Sequence, residues 1–256
     1  MSAHITLNID GPVVVIEFNR PEKLNAMTPE MADLLDEAVE RCNANDQVRA
    51  VVVTGAGPKS FCAGSDIAEL DTYATAWDFR NRREYCDSIR ALKKPTIAAI
   101  NGYAFGGGLE MALACDIRIA SSNARLGAPE IKLGWIGGGG VTAHLVHCIG
   151  QSNAAWMILT GDPIKADQAL AWGLISEMTT PEDIRSRAIE LAGIVASRAP
   201  IAAETARANL RAAVSMPLEK AVEYERDLQT ICFATEDAME GRRAFKEKRQ
   251  PVFQRR

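Results

Sequence analysis

The sequence predicts an α/β chain in which strand, glycine loop and helix recur to build a sheet-rich spiral core, with a helical C-terminal region after it. Three observations predict it. Short β-branched runs at 49–54 (RAVVVT) and 96–100 (TIAAI) each give way to a glycine loop and then to helical periodicity. Val51 and Thr96 are 45 residues apart, a spacing that marks a repeated βα or ββα unit. From about Pro181 onward the strand signal stops, and the remainder of the chain is helical by pattern. The expected division is a core over 1–195 and a helical region over 196–256 used for subunit contacts.

Taken in order, residues 5–9 and 13–18 read as two strands across a tight turn at Gly11-Pro12, ending in the polar loop Asn19-Arg20-Pro21. Thr28-Pro29-Glu30 opens a helix with an N-cap threonine, a proline in the first turn and an acidic residue at the positive dipole end. Met31, Leu34, Leu35 and Val39 give it one apolar face. Within the run 49–54, residues 50–53 are apolar without alternation, as in a strand buried on both sides. A long, mostly helical stretch is expected from Asp66 to about Leu92, broken by Lys94-Pro95. Residues 96–100 form a second buried strand, the triplet Gly106-Gly107-Gly108 leads into a helix over 109–114, and 116–120 (DIRIA) alternates as a strand. A second glycine cluster, 137–140, precedes further helices.

With 256 residues, 47% of them hydrophobic and 24% charged, the chain can bury a sizeable core. Its formal charge of −4 argues against a general nucleic-acid or membrane-surface binder. The six cysteines include no CxxC pair and read as reduced thiols in a cytoplasmic setting. Residues 1–10 lack the features of a secretory or transit peptide, and no apolar run approaches the ~18 residues a span needs.

The glycine loops decide the chemistry. Gly55-Ala56-Gly57 comes after a strand, but Ser60 stands where a dinucleotide fingerprint needs its third glycine and Pro58 removes a donor. No GxxxxGK[ST] loop is present. Gly64-Ser65 and Gly106-Gly107-Gly108 each join a buried strand to a helix, where backbone N–H groups can be aimed at a ligand. Two such groups converging on one point form an oxyanion hole, worth roughly 3–4 kcal/mol per donor. The alternative for a glycine triplet alone is close helix–strand packing. Ser65 as a nucleophile would need a base from among His4, His144 and His147, none in a triad context. Cys62 reads as a small buried residue. Tyr73, Trp77, Phe79 and Tyr85 either shape a pocket or pack the core.

In combination the motifs carry a resemblance. Asn19-Arg20-Pro21…Leu24-Asn25-Ala26, Phe61-Cys62-Ala63-Gly64-Ser65-Asp66, Ile100-Asn101-Gly102-Tyr103-Ala104-Phe105-Gly106-Gly107-Gly108-Leu109-Glu110, Pro129-Glu130-Ile131-Lys132-Leu133-Gly134 and Trp172-Gly173-Leu174-Ile175 together resemble the enoyl-CoA hydratase/isomerase (crotonase) family, across essentially the whole chain. The resemblance implies a spiral ββα core and a C-terminal helical region that trimerises, giving a homotrimer or a hexamer of two trimers. It implies a coenzyme A thioester as substrate, with no metal and no separate cofactor. It carries the oxyanion donors onto the N–H groups of Ser65 and Gly107, and the acid/base pair onto Glu110 and Glu130, 20 residues apart. Asp66, Ile67 and Ala68 fall where the family lines its CoA channel, and Ala26 and Ala63 near the adenine end. Trp135 and Gly138 fall beside the acyl pocket.

Both glutamates present is the hydratase pattern, so addition of water to a 2-enoyl-CoA is the expected reaction. The alternatives are enoyl-CoA isomerisation, dehydration of a specialised 3-hydroxyacyl-CoA such as a carnitinyl-CoA-like substrate, or non-catalytic acyl-CoA or RNA binding. The loop after Glu130 departs from the family: Gly137 replaces the usual proline, and Ala143-His144-Leu145 replaces the usual Arg-Leu. Two carboxyls bordering one water are expected to have coupled pKa values pushed apart.

Overall fold

The architecture is that of a computed structural model, which describes residues 4–256. Strands β1 (Ile5–Asp10) and β2 (Val13–Phe18) form an antiparallel hairpin. A 3₁₀ turn, Pro21–Lys23, leads to α1 (Pro29–Ala44), where the Thr28 side chain caps the Met31 N–H at 3.2 Å. Next come β3 (Ala50–Gly55), β4 (Ser60–Cys62), α2 (Ile67–Leu70), α3 (Ala76–Arg80) and α4 (Tyr85–Ala91). The second repeat is β5 (Thr96–Ile100), β6 (Tyr103–Phe105) and α5 (Gly107–Ala114). The third is β7 (Ile117–Ser121), β8 (Arg125–Gly127), a 3₁₀ turn over Pro129–Leu133, and α6 (Val141–Thr160), kinked at Gly150. The chain continues through β9 (Ile164–Lys165), α7 (Ala166–Ala171), β10 (Glu177–Thr179), α8 (Ile184–Ala196), α9 (Pro200–Ala213), α10 (Leu218–Phe233) and α11 (Glu236–Glu247).

Successive repeats lay their first strands side by side in one sheet and their second strands in another. Among the described residues the larger sheet runs β1-β2-β3-β5-β7-β10, parallel from β2 onward, and the smaller runs β4-β6-β8-β9. Each turn of the chain thus advances both sheets by one strand, which is the spiral ββα arrangement.

The central strands β2, β3 and β5 are buried on both faces, as their unbroken apolar runs require. Val14, Ile16, Val51, Val53, Ala98 and Ile100 point into the main core with α1, α4 and α5. Val13, Val15, Val52, Ile97, Ala99 and Ile119 point the other way, against Ile184, Ala188, Ala192 and Ala196 of α8. Three alanines at a four-residue spacing keep that helix face flat and let it lie close on the sheet.

Two expectations change. The stretch after Asp66 is three short helices rather than one long one, because Asp66, Thr75 and Glu84 each cap a new start. Helix α5 begins at Gly107 rather than Leu109.

Beyond α8 the helices bury little of themselves. Helix α9 is held by ions: Arg207 meets Asp116 at 2.6 Å, and Glu204 pairs with the buried Lys94 at 3.0 Å and with Arg255. Leu210, Val214, Leu218, Ile231, Phe233 and Phe245 stay exposed. Among the described residues no helix is long and apolar enough to cross a membrane.

Candidate active site

The site forms where the first and second repeats meet. Gly64, between β4 and α2, has φ +93°, and Gly106, before α5, has φ +54°; both lie in the left-handed half of the map that side chains avoid. A Cβ on Gly64 would stand 3.0 Å from the Phe105 carbonyl and 3.2 Å from the Gly107 nitrogen. The two loops therefore pack backbone to backbone, which places the strand-end amide of Ser65 beside the first amide of α5.

Among the described residues neither amide donates to a partner in the fold. Around Ser65 the bridge to Met27 uses the Gly64 carbonyl and the Asp66 N–H, leaving the Ser65 N–H aside. Gly107 opens α5, and the first N–H groups of a helix have no intrahelical acceptor. Both residues line one cavity of about 670 Å³.

The same cavity carries Glu110 and Glu130. Glu110, in the first turn of α5, is almost fully buried, and its Oε1 accepts from the N–H groups of Gly139 at 2.8 Å and Val141 at 3.3 Å. Its Oε2 lies 3.9 Å from the Cys86 thiol. Glu130 sits on the 3₁₀ turn after β8, half-buried, and its shielded Oε2 has no hydrogen-bond partner among the described residues. Gly137 shows how close the two are: a Cβ there would stand 2.7 Å from Glu110 Oε1 and 3.4 Å from Glu130 Oε1. The two carboxyl groups flank one spot.

Burial raises the pKa of Glu110, the Val141 and Gly139 amides oppose the rise, and the charge of Glu130 adds to it. Burial likewise raises the pKa of Glu130. Both groups lose water and both shift upward, and the charge of Glu130 couples the two by pushing Glu110 further. The asymmetry lies in the hydrogen bonds: two amides favour the Glu110 carboxylate, whereas Glu130 has no comparable pair of donors from neighbouring loops.

Of the other residues singled out in the sequence, Ala63, Ile67, Trp135 and Gly138 line the cavity. Ala26, Asp66 and Ala68 are not on its wall. Ala26 is buried, and Asp66 pairs with Arg20 at 2.7 Å while capping α2, which holds its carboxyl below the usual range. Ser65 Oγ bonds the Tyr85 hydroxyl at 2.9 Å rather than a histidine. Burial pushes the Cys62 thiol up to about 12, which leaves it inert. The aromatics divide: Phe79 and Tyr85 line the cavity, Tyr73 packs on the Phe79 edge, and Trp77 is exposed.

Sequence reasoning passed over Gly139 and Arg90. Arg90, on α4, donates to the Gly139 carbonyl at 2.5 Å and so braces the residue that holds Glu110. Nothing local in the sequence marks either, since the contact joins residues 49 apart. Among the described residues no cluster of three or more His, Cys, Asp or Glu side chains is arranged to hold a metal ion.

Known proteins share this frame. The family model for enoyl-CoA hydratase/isomerase matches residues 8–256. A short-chain-enoyl-CoA hydratase of Clostridium acetobutylicum is 37% identical over 253 residues, covering 96% of each chain. A mitochondrial enoyl-CoA hydratase of Pongo abelii is 40% identical, covering 95% of this chain and 84% of its own. The crystal structure of an enoyl-CoA hydratase from Bacillus anthracis superposes with a TM-score of 0.95 at 34% identity, covering 99% of this chain and 100% of its own. Whole-chain similarity at this level, with the same fold beneath it, leads to one conclusion: the chain belongs to the enoyl-CoA hydratase/isomerase family.

Proposed function

We infer that the protein is an enoyl-CoA hydratase, adding water across the double bond of a 2-enoyl-CoA to give the 3-hydroxyacyl-CoA. The observation that carries this is the pair of carboxyl groups flanking Gly137 in the cavity that also holds Ser65 and Gly107.

In this reading the thioester oxygen accepts hydrogen bonds from the Ser65 and Gly107 N–H groups, which stabilise the enolate that develops. Glu110, whose Oε1 accepts from two amides, takes a proton in its carboxylate form from the water that attacks Cβ. Glu130, whose pKa burial raises, delivers a proton to Cα from its protonated form. The water O–H, the Glu130 O–H and the C=C π bond break, the Cβ–O, Cα–H and Glu110 O–H bonds form, and proton exchange between the two carboxyls resets them. Hydration neither oxidises nor reduces the substrate, so the reaction asks for no redox group. Ala63, Ile67, Trp135 and Gly138 are the wall residues assigned to the thioester. The poorly buried apolar residues of α9 to α11 suit a homotrimer or a pair of trimers. The unpaired cysteines suit a cytoplasmic setting.

The test is loss of the conjugated enoyl absorbance of crotonyl-CoA on mixing with the protein. Steady turnover to 3-hydroxybutyryl-CoA is expected. A flat trace with crotonyl-CoA and with longer and branched 2-enoyl-CoAs would remove the assignment.

A further inference from the structure

An oxyanion hole assembled from two loops works only if the loops keep their spacing, because amides misplaced by a fraction of an ångström lose much of their effect on a developing charge. Ser65 comes after β4 and Gly107 opens α5, and the sequence between them includes three short helices and two strands. One side chain from that intervening segment touches both. The Tyr85 hydroxyl, on the first residue of α4, shares a 2.9 Å hydrogen bond with Ser65 Oγ. A Cβ on Gly107 would overlap the same oxygen and stand 2.7 and 2.8 Å from ring atoms, so the phenol occupies the space a side chain at 107 would need.

Tyr85 is buried and lines the cavity with Glu110, and its neighbours Cys86 and Ile89 anchor α4 in the core. Burial holds the phenol pKa well above its usual value, so the group stays a neutral hydroxyl and cannot serve as a base.

We propose that Tyr85 is a positioning residue for the oxyanion hole: its hydroxyl, bonded to Ser65 and seated on Gly107, sets the distance between the two donor amides. This rests on the assignment of those amides as the oxyanion donors. The bond matters most when charge builds on the thioester oxygen, so its loss falls on kcat rather than on KM. The role differs from packing in one respect: removing either hydroxyl breaks the same bond.

The experiment compares wild type, Tyr85→Phe, Ser65→Ala and the double variant. Each is checked for folding by circular dichroism and thermal melting, then assayed for kcat and KM with crotonyl-CoA and for the enolate absorbance of bound acetoacetyl-CoA. Each single variant is expected to lower kcat by about three- to tenfold, with KM moved by less than about twofold, and to weaken the enolate band. The double variant is expected to fall no further than the worse single one. Wild-type kcat and enolate band in either single variant, or losses that multiply in the double, would overturn the proposal. Ser65→Ala changes no buried ring, so it tests the bond even if Tyr85→Phe misfolds. A wild type that fails to hydrate any enoyl-CoA would defeat the functional reading alone, because the enolate band still reports the spacing of the amides.

Discussion

Glu110 and Glu130 face the same spot but are held in opposite ways. Glu110 rides on the first turn of a buried helix and has one oxygen fixed by two amides of the 137–141 loop. Glu130 rides on a 3₁₀ turn whose neighbours, Ile131 to Ile136, are exposed, and its shielded oxygen has no protein donor among the described residues. Two neighbouring amides favour the carboxylate form of Glu110, and burial opposed by no such pair favours the protonated form of Glu130. On the proposed mechanism, the difference in surroundings and not in residue type divides base from acid.

The largest effect expected is on the base. Glu110→Gln should lower kcat for crotonyl-CoA by about 10² or more, with little change in thioester affinity; near wild-type turnover would dissolve the distinction between the two glutamates. Next is the loop that fixes it. A Cβ on Gly139 would stand 2.5 Å from Glu110 Oε2 and 2.7 Å from Cys86 Sγ, so Gly139→Ala should displace the carboxylate and lower kcat by about tenfold or more. Equal kcat would show that the loop does not position Glu110.

The pH profile sharpens the contrast further. On the proposed roles the rate should follow the product of ionised Glu110 and protonated Glu130, so it has an acid and an alkaline limb, both displaced upward because burial raises both pKa values. Glu130→Gln should abolish the alkaline limb of kcat/KM and leave the acid limb in place. An unchanged alkaline limb would assign it to another group.

The smallest effect is on stability. Folding raises the pKa of Glu130, so the native state binds more protons than the unfolded state between the two values. Stability is therefore intact below the unfolded carboxyl pKa of about 4.3 and is lost as pH rises through the folded value. Glu130→Gln should raise Tm by on the order of 1–3 °C at about pH 8 and by nothing measurable near pH 4. A lower Tm at the higher pH would mean the carboxylate is better solvated than its surroundings indicate.

Much of this was legible in the residues. The unbroken runs at 49–54 and 96–100 are buried strands, Thr28 caps the helix it precedes, and the glycine loops bracket the cavity. What escaped was whatever depends on packing between segments. Three capping side chains cut the 66–92 stretch into pieces, a competition between local caps and helix continuity that periodicity alone does not resolve. Asp66 follows Ser65, the proposed oxyanion donor, in sequence, but its side chain pairs with Arg20 and is not on the cavity wall. The support given to Glu110 by Gly139, Arg90 and Cys86 comes from α4 and the 137–141 loop folding over α5, and no spacing encodes it.

The most direct measurement is a crystal structure with acetoacetyl-CoA bound. The thioester oxygen should lie within about 2.7–3.1 Å of both the Ser65 and the Gly107 nitrogens, with the acyl carbons between the carboxyl groups of Glu110 and Glu130. A thioester oxygen out of reach of either nitrogen, or acyl carbons directed away from the glutamates, would contradict the shared site.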